Sequence, residues 1–292
     1  MAGLEYVHGY SASEVERLID QATVLTELLH RDTRYPDGSS VLEAGCGVGA
    51  QTVVLAKNNP GTRFTSVDIS TASLETARAR VHEKGYGNVV FLQGDIYRLP
   101  FPDNSFDHVF VCFVLEHLKH PELALAHLGA KLRPGGTLTV IEGDHGSTFF
   151  YPDSRDAART IQCLIDLQAK NGGDALIGRR LFPLLTQCGF SDIRVSPRMV
   201  YVDSSKPAYV EGFTKKTFIA MVEGVRDQAI DSGIATAESW ETGIRHLKRT
   251  TEQDGTFCYT FFKAVARNPP VTGQSRRRRP SDRNGVAGIG QR

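Results

Sequence analysis

Residues 41–50 read Val41-Leu42-Glu43-Ala44-Gly45-Cys46-Gly47-Val48-Gly49-Ala50, a short apolar run that ends in three glycines at alternate positions. A run of that length closed by glycine reads as a strand, and the residues from Ala50 to Asn58 carry a helix pattern stopped by Asn59-Pro60-Gly61. The glycines therefore sit where a strand turns into a helix. There they let the backbone bend tightly and let a ligand approach main-chain N–H groups with no Cβ in the way.

The same alternation continues outward. Phe64–Val67 ends at Asp68, and Ser70, a good N-cap, opens a helix through Lys84. Val89–Leu92 ends at Gly94-Asp95, Phe106–Phe113 is a fourth strand, and Pro121–Leu132 is a helix closed by Arg133-Pro134-Gly135-Gly136. Thr137–Ile141 is a fifth strand ending at Glu142-Gly143-Asp144-His145. Helices follow at Arg155–Lys170 and Gly178–Cys188, then strands at Ile193–Val202 and Thr256–Ala266. Strands alternating with helices predict an α/β fold, a parallel sheet with helices on both faces. Residues 204–255 read as helical (Pro207–Phe213, Thr217–Ser232, Glu238–Thr251), too long for a connection, and predict a cap over the sheet edge.

The expected organisation is an N-terminal helical segment over residues 1–35, a core over 36–203, a helical cap over 204–255, a final core strand over 256–267 and a disordered basic tail over 268–292. The tail holds Arg276-Arg277-Arg278-Arg279 among Pro, Gly and Ser, with too little apolar surface to offset its ordering entropy. Its charge also distorts the balance. The whole chain is +1, but residues 276–292 carry six arginines against one aspartate, so the rest is −4. A slightly acidic body is a poor partner for a polyanion, which argues against nucleic acid. No run approaches the roughly 18 apolar residues of a membrane span. The amino terminus lacks the basic and apolar regions of a secretory signal. Five scattered cysteines without a C-x-x-C pair fit reduced thiols in a cytoplasm, and no cysteine-built zinc site. The expected partner is a small molecule, bound by a monomer or homodimer.

Gly45-x-Gly47-x-x-Ala50 satisfies the dinucleotide fingerprint, and Asp68 at the end of the second strand would hold a ribose diol. That loop alone does not separate NAD from S-adenosylmethionine. Glu43 shifts the balance, because a negative charge beside the glycines suits a cationic sulfonium with its α-amino group rather than a pyrophosphate. Asp95 supplies a second acid for an adenine amine, and the apolar Ile69 and Ile96 beside these acids would sandwich the ring.

With Leu99-Pro100-Phe101-Pro102-Asp103-Asn104-Ser105-Phe106-Asp107 and Leu132-Arg133-Pro134-Gly135-Gly136 added, residues 6–146 resemble the class I S-adenosylmethionine-dependent methyltransferases, in the group of ubiquinone/menaquinone-pathway and small-molecule enzymes. The resemblance implies a Rossmann-like seven-stranded sheet whose last strand is antiparallel, with S-adenosylmethionine over the carboxyl ends of strands one to four. It implies that Gly45 and Gly47 pass under the methionine part, Asp68 binds the ribose, Asp95 and Ile96 meet the adenine, and Phe113 supports the methionine through its backbone. Tyr10 resembles the tyrosine that folds over the methionine carboxylate.

Methyl transfer from a sulfonium is an in-line displacement in which positioning supplies much of the effect, and a base matters when the acceptor must lose a proton. Acceptor-side groups are expected on the loops after strands four and five. The candidates there are Glu116, as base or substrate anchor, with His117, Glu142 and Asp144. His117 and His120, three apart on one helix, lack a third metal ligand, and no metal is expected. The Asn/Asp-Pro-Pro-Tyr turn and the Pro-Cys pair of nucleic-acid methyltransferases are absent. Tyr209, Phe213, Phe218, Met221 and Trp240 in the cap could enclose an aromatic, amine-bearing acceptor. Within the family the chain resembles the indole C3-methylating enzymes of the kind found in physostigmine biosynthesis, which implies Glu116 as the acceptor of the indole N–H proton.

Overall fold

The computed structural model describes residues 12–269; Tyr10 and the arginine-rich tail lie outside them. The strands β1 (Ser40–Ala44), β2 (Arg63–Asp68), β3 (Val89–Gln93), β4 (Phe106–Cys112), β5 (Leu132–Tyr151), β6 (Ser191–Asp203) and β7 (Thr256–Arg267) form one sheet in the order β3-β2-β1-β4-β5-β7-β6. The first five are parallel, and β7 runs antiparallel between β5 and β6. The chain leaves β1 toward β2 on one side and returns as β4 on the other. That reversal of strand order opens a crevice at the carboxyl end of β1, where the glycine loop stands.

Side chains alternate between the two faces and bury two apolar layers. Val41 and Phe110 pack into one layer; Leu42, Val109, Val111, Leu138 and Val140 pack into the other. The helices α2 (Ala50–Asn58), α3 (Thr71–Glu83), α4 (Pro121–Lys131), α5 (Arg155–Lys170) and α6 (Leu181–Gln187) complete the alternation. Ser70 caps α3 as expected, its hydroxyl accepting the Ser73 N–H at 3.2 Å.

Three local expectations are corrected. The fifth strand does not end at Ile141. Past the last residue paired with β4 it keeps pairing with β7 as far as Tyr151↔Thr256, across a register shift between Asp144 and Phe149. The segment Glu142–His145 is therefore strand rather than loop. Gly178–Cys188 divides into a 3₁₀ turn, Ile177–Arg180, and α6. Helix α7 (Pro207–Tyr209) passes through a π-helical stretch, Val210–Ile219, into α8 (Ala220–Glu223). Gly224 and Val225 separate α8 from α9 (Arg226–Asp231), and α10 is Ala237–Arg249.

Helix α1 (Ala12–His30) lies on the Phe110 side, with Leu25 and Leu29 in the core. Its carboxyl end is moored by a buried cation. Lys263 on β7 donates to the Leu29 carbonyl (3.2 Å), to Asp32 (2.6 Å) and to Thr33 (2.6 Å), while Arg198 on β6 pairs with Asp32 and reaches the Leu28 carbonyl. Positive charge at a helix carboxyl end meets unpaired carbonyls and the negative pole of the helix dipole. Burial pulls the Lys263 ammonium below its ordinary pKa, and Asp32 opposes that shift.

Candidate functional site

The glycine loop is held open from behind. Gly45 has φ +76°, and a Cβ there would stand 2.5 Å from Val114 Cγ2. Gly47, at φ +51°, faces open space with nothing within 4 Å of where a Cβ would be. The Gly47 N–H goes to Asp68 Oδ2 (2.7 Å), and the Ser70 N–H goes to Asp68 Oδ1 (2.9 Å). Asp68 thus sits at the lip of the loop, and each oxygen keeps a lone pair for another donor. Ile69 beside it is 53% exposed, an apolar side chain turned outward at the crevice. Asp95 accepts the Tyr97 N–H at 2.9 Å, and Ile96 packs partly against the core.

Glu43 does not face the opening. It is buried, and Oε2 accepts from Thr52 (2.8 Å) and Ser66 (2.6 Å). Burial raises its carboxyl to about 7, against those two hydrogen bonds and with help from the Asp68 charge. The folded state therefore keeps a proton that the unfolded chain releases above 4.5. Stability from this group is complete below that pH and is lost as pH rises toward 7. At about 1.4 kcal/mol per pH unit, the loss is about 3 kcal/mol. Glu43→Gln is expected to remove this slope. Urea unfolding from pH 4.5 to 8 should show the variant gaining on the parent by about that amount, and parallel curves would contradict the assignment.

Phe113 follows β4 at φ +57°, a left-handed conformation rare for a bulky residue, and leads into the 3₁₀ turn Leu115–His117. That turn hangs from Glu142, whose Oε1 accepts the Val114 N–H (3.0 Å) and the Leu115 N–H (2.8 Å). Glu142 Oε2 is buried without a partner among the described residues. Burial, with the nearby Glu116 charge, holds the Glu142 carboxyl well above its ordinary range.

Glu116 is only 7% exposed and behaves oppositely. Burial pushes its carboxyl up, but His117, His145, the Gln168 amide and Arg17 outweigh it and hold the group below the ordinary carboxylate value. His117 Nε2 is 3.6 Å from Oε1, His145 Nε2 is 3.9 Å from Oε2, and Gln168 Nε2 donates to the Glu116 carbonyl at 3.0 Å. The two neighbouring carboxyls are thus driven apart, Glu142 upward and Glu116 downward.

Glu116 and His117 line a narrow, partly open cleft with a cavity volume of about 50 Å³. Its apolar walls include Phe113 and Phe261 from the sheet and Phe213, Phe218 and Met221 from the 207–223 stretch; Arg17 and Gln21 close it from α1. Trp240 does not reach this cleft. It is buried and lines a separate hollow between α8 and α10, while Tyr209 packs half-buried against the core.

Of the acceptor-side candidates, Glu142 and Asp144 are not in the cleft, because strand alternation turns them to the opposite face of β5 from Gly143 and His145, which do line it. Asp144 is committed to Arg179 through two hydrogen bonds, 2.6 and 2.7 Å. His117 and His120 do not share a helix: His117 ends the 3₁₀ turn and His120 precedes α4.

With this geometry, the stretch 42–140, which runs from β1 through the glycine loop to β5, matches the family model described as a methyltransferase domain. Residues 42–140 are a class I methyltransferase domain. An uncharacterized 37.1 kDa protein in transposon Tn4556 of Streptomyces fradiae is 32% identical over 213 residues, 72% of this chain and 58% of that protein. The ubiquinone/menaquinone biosynthesis C-methyltransferase of Hahella chejuensis is 37% identical over 107 residues, 36% of this chain and 43% of that enzyme. The chain thus spans about half the length of these curated relatives. Among solved structures, phosphoethanolamine N-methyltransferase 2 of Haemonchus contortus with S-adenosylhomocysteine superposes with a TM-score of 0.53 at 19% identity, covering 86% of this chain and 53% of that one, a likeness of fold.

The methyltransferase domain ends at Val140, so it contains the glycine loop and Glu116 but not His145, Gln168 or Tyr259. Those three surround Glu116 and come from later elements. His145 was legible only as a member of a dense strand-end cluster. Nothing local in sequence marks Gln168, in the middle of α5, or Tyr259, inside β7.

Proposed function

We propose that this protein is an S-adenosylmethionine-dependent methyltransferase acting on a small aromatic or indolic acceptor, with C-methylation at indole C3 as the leading reaction and Glu116 as base. The observation that carries the reading is an ionised, buried carboxylate lining an aromatic cleft next to the turn that supports the glycine loop. The crevice suits the cofactor. Gly47 leaves room for a ligand against the backbone, Asp68 offers lone pairs to ribose hydroxyls, Ile69 and Ile96 offer apolar contact to adenine, and Asp95 accepts from its amine. Bound S-adenosylmethionine supplies an electrophilic methyl carbon. Glu43 acts from behind the loop as a buried acid rather than as a direct contact, and the Phe113 backbone faces the methionine part. In the cleft Phe113, Phe213, Phe218 and Phe261 orient a planar acceptor, and Glu116 takes the proton that the ring nitrogen sheds as C3 gains its methyl group. The C-methyltransferase among the relatives supports transfer to carbon.

Residues 12–35 and 207–249 act as covers over the core, and the compartment is a reducing one. None of the helices in the described residues is long and apolar enough to cross a membrane. Calorimetry with S-adenosylhomocysteine and NAD separates a sulfonium site from a dinucleotide site, and transfer of labelled methyl to tryptamine tests the acceptor. Asp68→Ala is expected to weaken S-adenosylhomocysteine binding by about 10- to 100-fold, the loss of hydrogen bonds to a charged group. An unchanged dissociation constant would remove Asp68 from the site.

A further inference from the structure

One side-chain amide holds Glu116 at two points. Gln168 on α5 is buried, and its Nε2 donates to the Glu116 carbonyl at 3.0 Å and to Glu116 Oε2 at 3.4 Å. A primary amide carries two N–H donors, one for each acceptor. Turned over, it would set its oxygen against two acceptors, so the NH₂ end faces Glu116. The other end, Oε1, is then buried without a donor among the described residues. A buried acceptor without a donor destabilises a fold, so packing gives no reason for an amide at this position, whereas its donor end does. Just past α5 the Asp174 N–H donates to the same carbonyl at 2.8 Å. Gly173 lets the chain come that close, since a Cβ there would stand 2.5 Å from the Glu116 carbonyl oxygen.

We propose that Gln168 is a positioning residue for Glu116: its amide ties the carboxylate to the main-chain carbonyl of the same residue and so fixes the direction in which that carboxylate enters the cleft. Gln168 is not among the residues lining the cleft, so it acts through Glu116 rather than on the acceptor. The proposal rests on the reading of Glu116 as base. The charged groups around the carboxylate are His117, His145 and Arg17, with the Glu142 carboxyl nearby on the opposite face of β5. At 3.6 and 3.9 Å the two imidazoles lie beyond ordinary hydrogen-bond length, so they favour the charge without setting the rotamer.

Gln168→Met tests this on the full chain. It keeps the volume and removes both donors together with the unmet acceptor, while the Asp174 N–H still holds the turn. The melting temperature is therefore expected at or above that of the parent. With ¹³C-glutamate labelling, and the Glu116 carboxyl signal assigned through Glu116→Gln, the titration midpoint of Glu116 should move upward in Gln168→Met, because a donor to the charged form is lost. Turnover of tryptamine should fall by about 10- to 100-fold, while its KM and the affinity for S-adenosylhomocysteine stay within about two-fold. The acid limb of the kcat profile should move with the midpoint. An unmoved midpoint would overturn the proposal. So would a turnover loss matched by a lower melting temperature or weaker S-adenosylhomocysteine binding, the pattern of a merely structural residue. The parent supplies a second measurement that needs no folded variant: the Gln168 side-chain amide protons should shift with the Glu116 midpoint, and protons indifferent to it would overturn the proposal equally. The titration needs no turnover and is judged apart from the base. If Glu116→Gln keeps full turnover while the midpoint still moves, the base reading falls and the hold on the carboxylate stands.

Discussion

Glu116→Gln is expected to lower methyl-transfer turnover by about 10²- to 10⁴-fold, the range for a lost general base, while S-adenosylhomocysteine affinity stays within about two-fold. The substitution keeps the volume, and the Gln168 contact to the Glu116 carbonyl is unaffected. It removes the lone-pair basicity and the charge. Because the folded-state pKa of Glu116 lies below the ordinary value, its stabilising contribution is present above the unfolded pKa and is lost as pH falls through the folded one. The variant should therefore lose some thermal stability at neutral pH and none in strong acid. Glu142→Gln is the control. Glu142 stands outside the cleft and accepts two backbone N–H groups, so turnover of its variant should remain within about three-fold of the parent, as expected of a group outside the chemistry. Steady-state kinetics on both variants decide the matter. A fully active Glu116→Gln would end the case for a base there, and an inactive Glu142→Gln would return it to the opposite face of β5.

Gly45→Ala should be the most damaging change in the loop, with S-adenosylhomocysteine binding weakened by at least about 100-fold. Two costs combine. A left-handed φ in an L-residue costs about 1–2 kcal/mol. The added methyl would also stand 2.5 Å from Val114 Cγ2, so the loop or the turn after β4 must shift. Val114 cannot withdraw freely, because its N–H is fixed on Glu142. The damage therefore passes from the crevice to the turn that carries Glu116. Shortening the obstacle separates the two costs: Gly45→Ala with Val114→Ala should recover part of the affinity, leaving the backbone strain. Calorimetry on the single and double variants measures this. Equal affinities would mean that the collision is relieved elsewhere.

The first five strands, the helices between them and the glycine turn were legible because local patterns decide them. Apolar runs ending in glycine or acid, Ser70 as a cap, and Arg133-Pro134-Gly135-Gly136 as a stop are short-range signals. What lay beyond reach depends on partners distant in sequence. The extension of β5 through Glu142–His145 follows from pairing with β7, more than a hundred residues later, and no signal near residue 142 announces it. Reading that segment as loop put Glu142, Asp144 and His145 on one footing, whereas strand geometry splits them. The π-helical stretch that brings Phe213 and Phe218 into the cleft likewise depends on its packing against α1 and β7 rather than on its own period. The sequence places the Glu43 charge beside the glycines but does not tell which way the side chain turns, which is into the sheet toward Thr52 and Ser66.

The division of labour along β5 has a consequence for how such a protein can diversify. Even-numbered positions 142 and 144 hold up the scaffold, and odd-numbered positions 143 and 145 look into the cleft. Two inheritances are interleaved letter by letter in one strand, so a lineage can exchange what it recognises without renegotiating what keeps it folded.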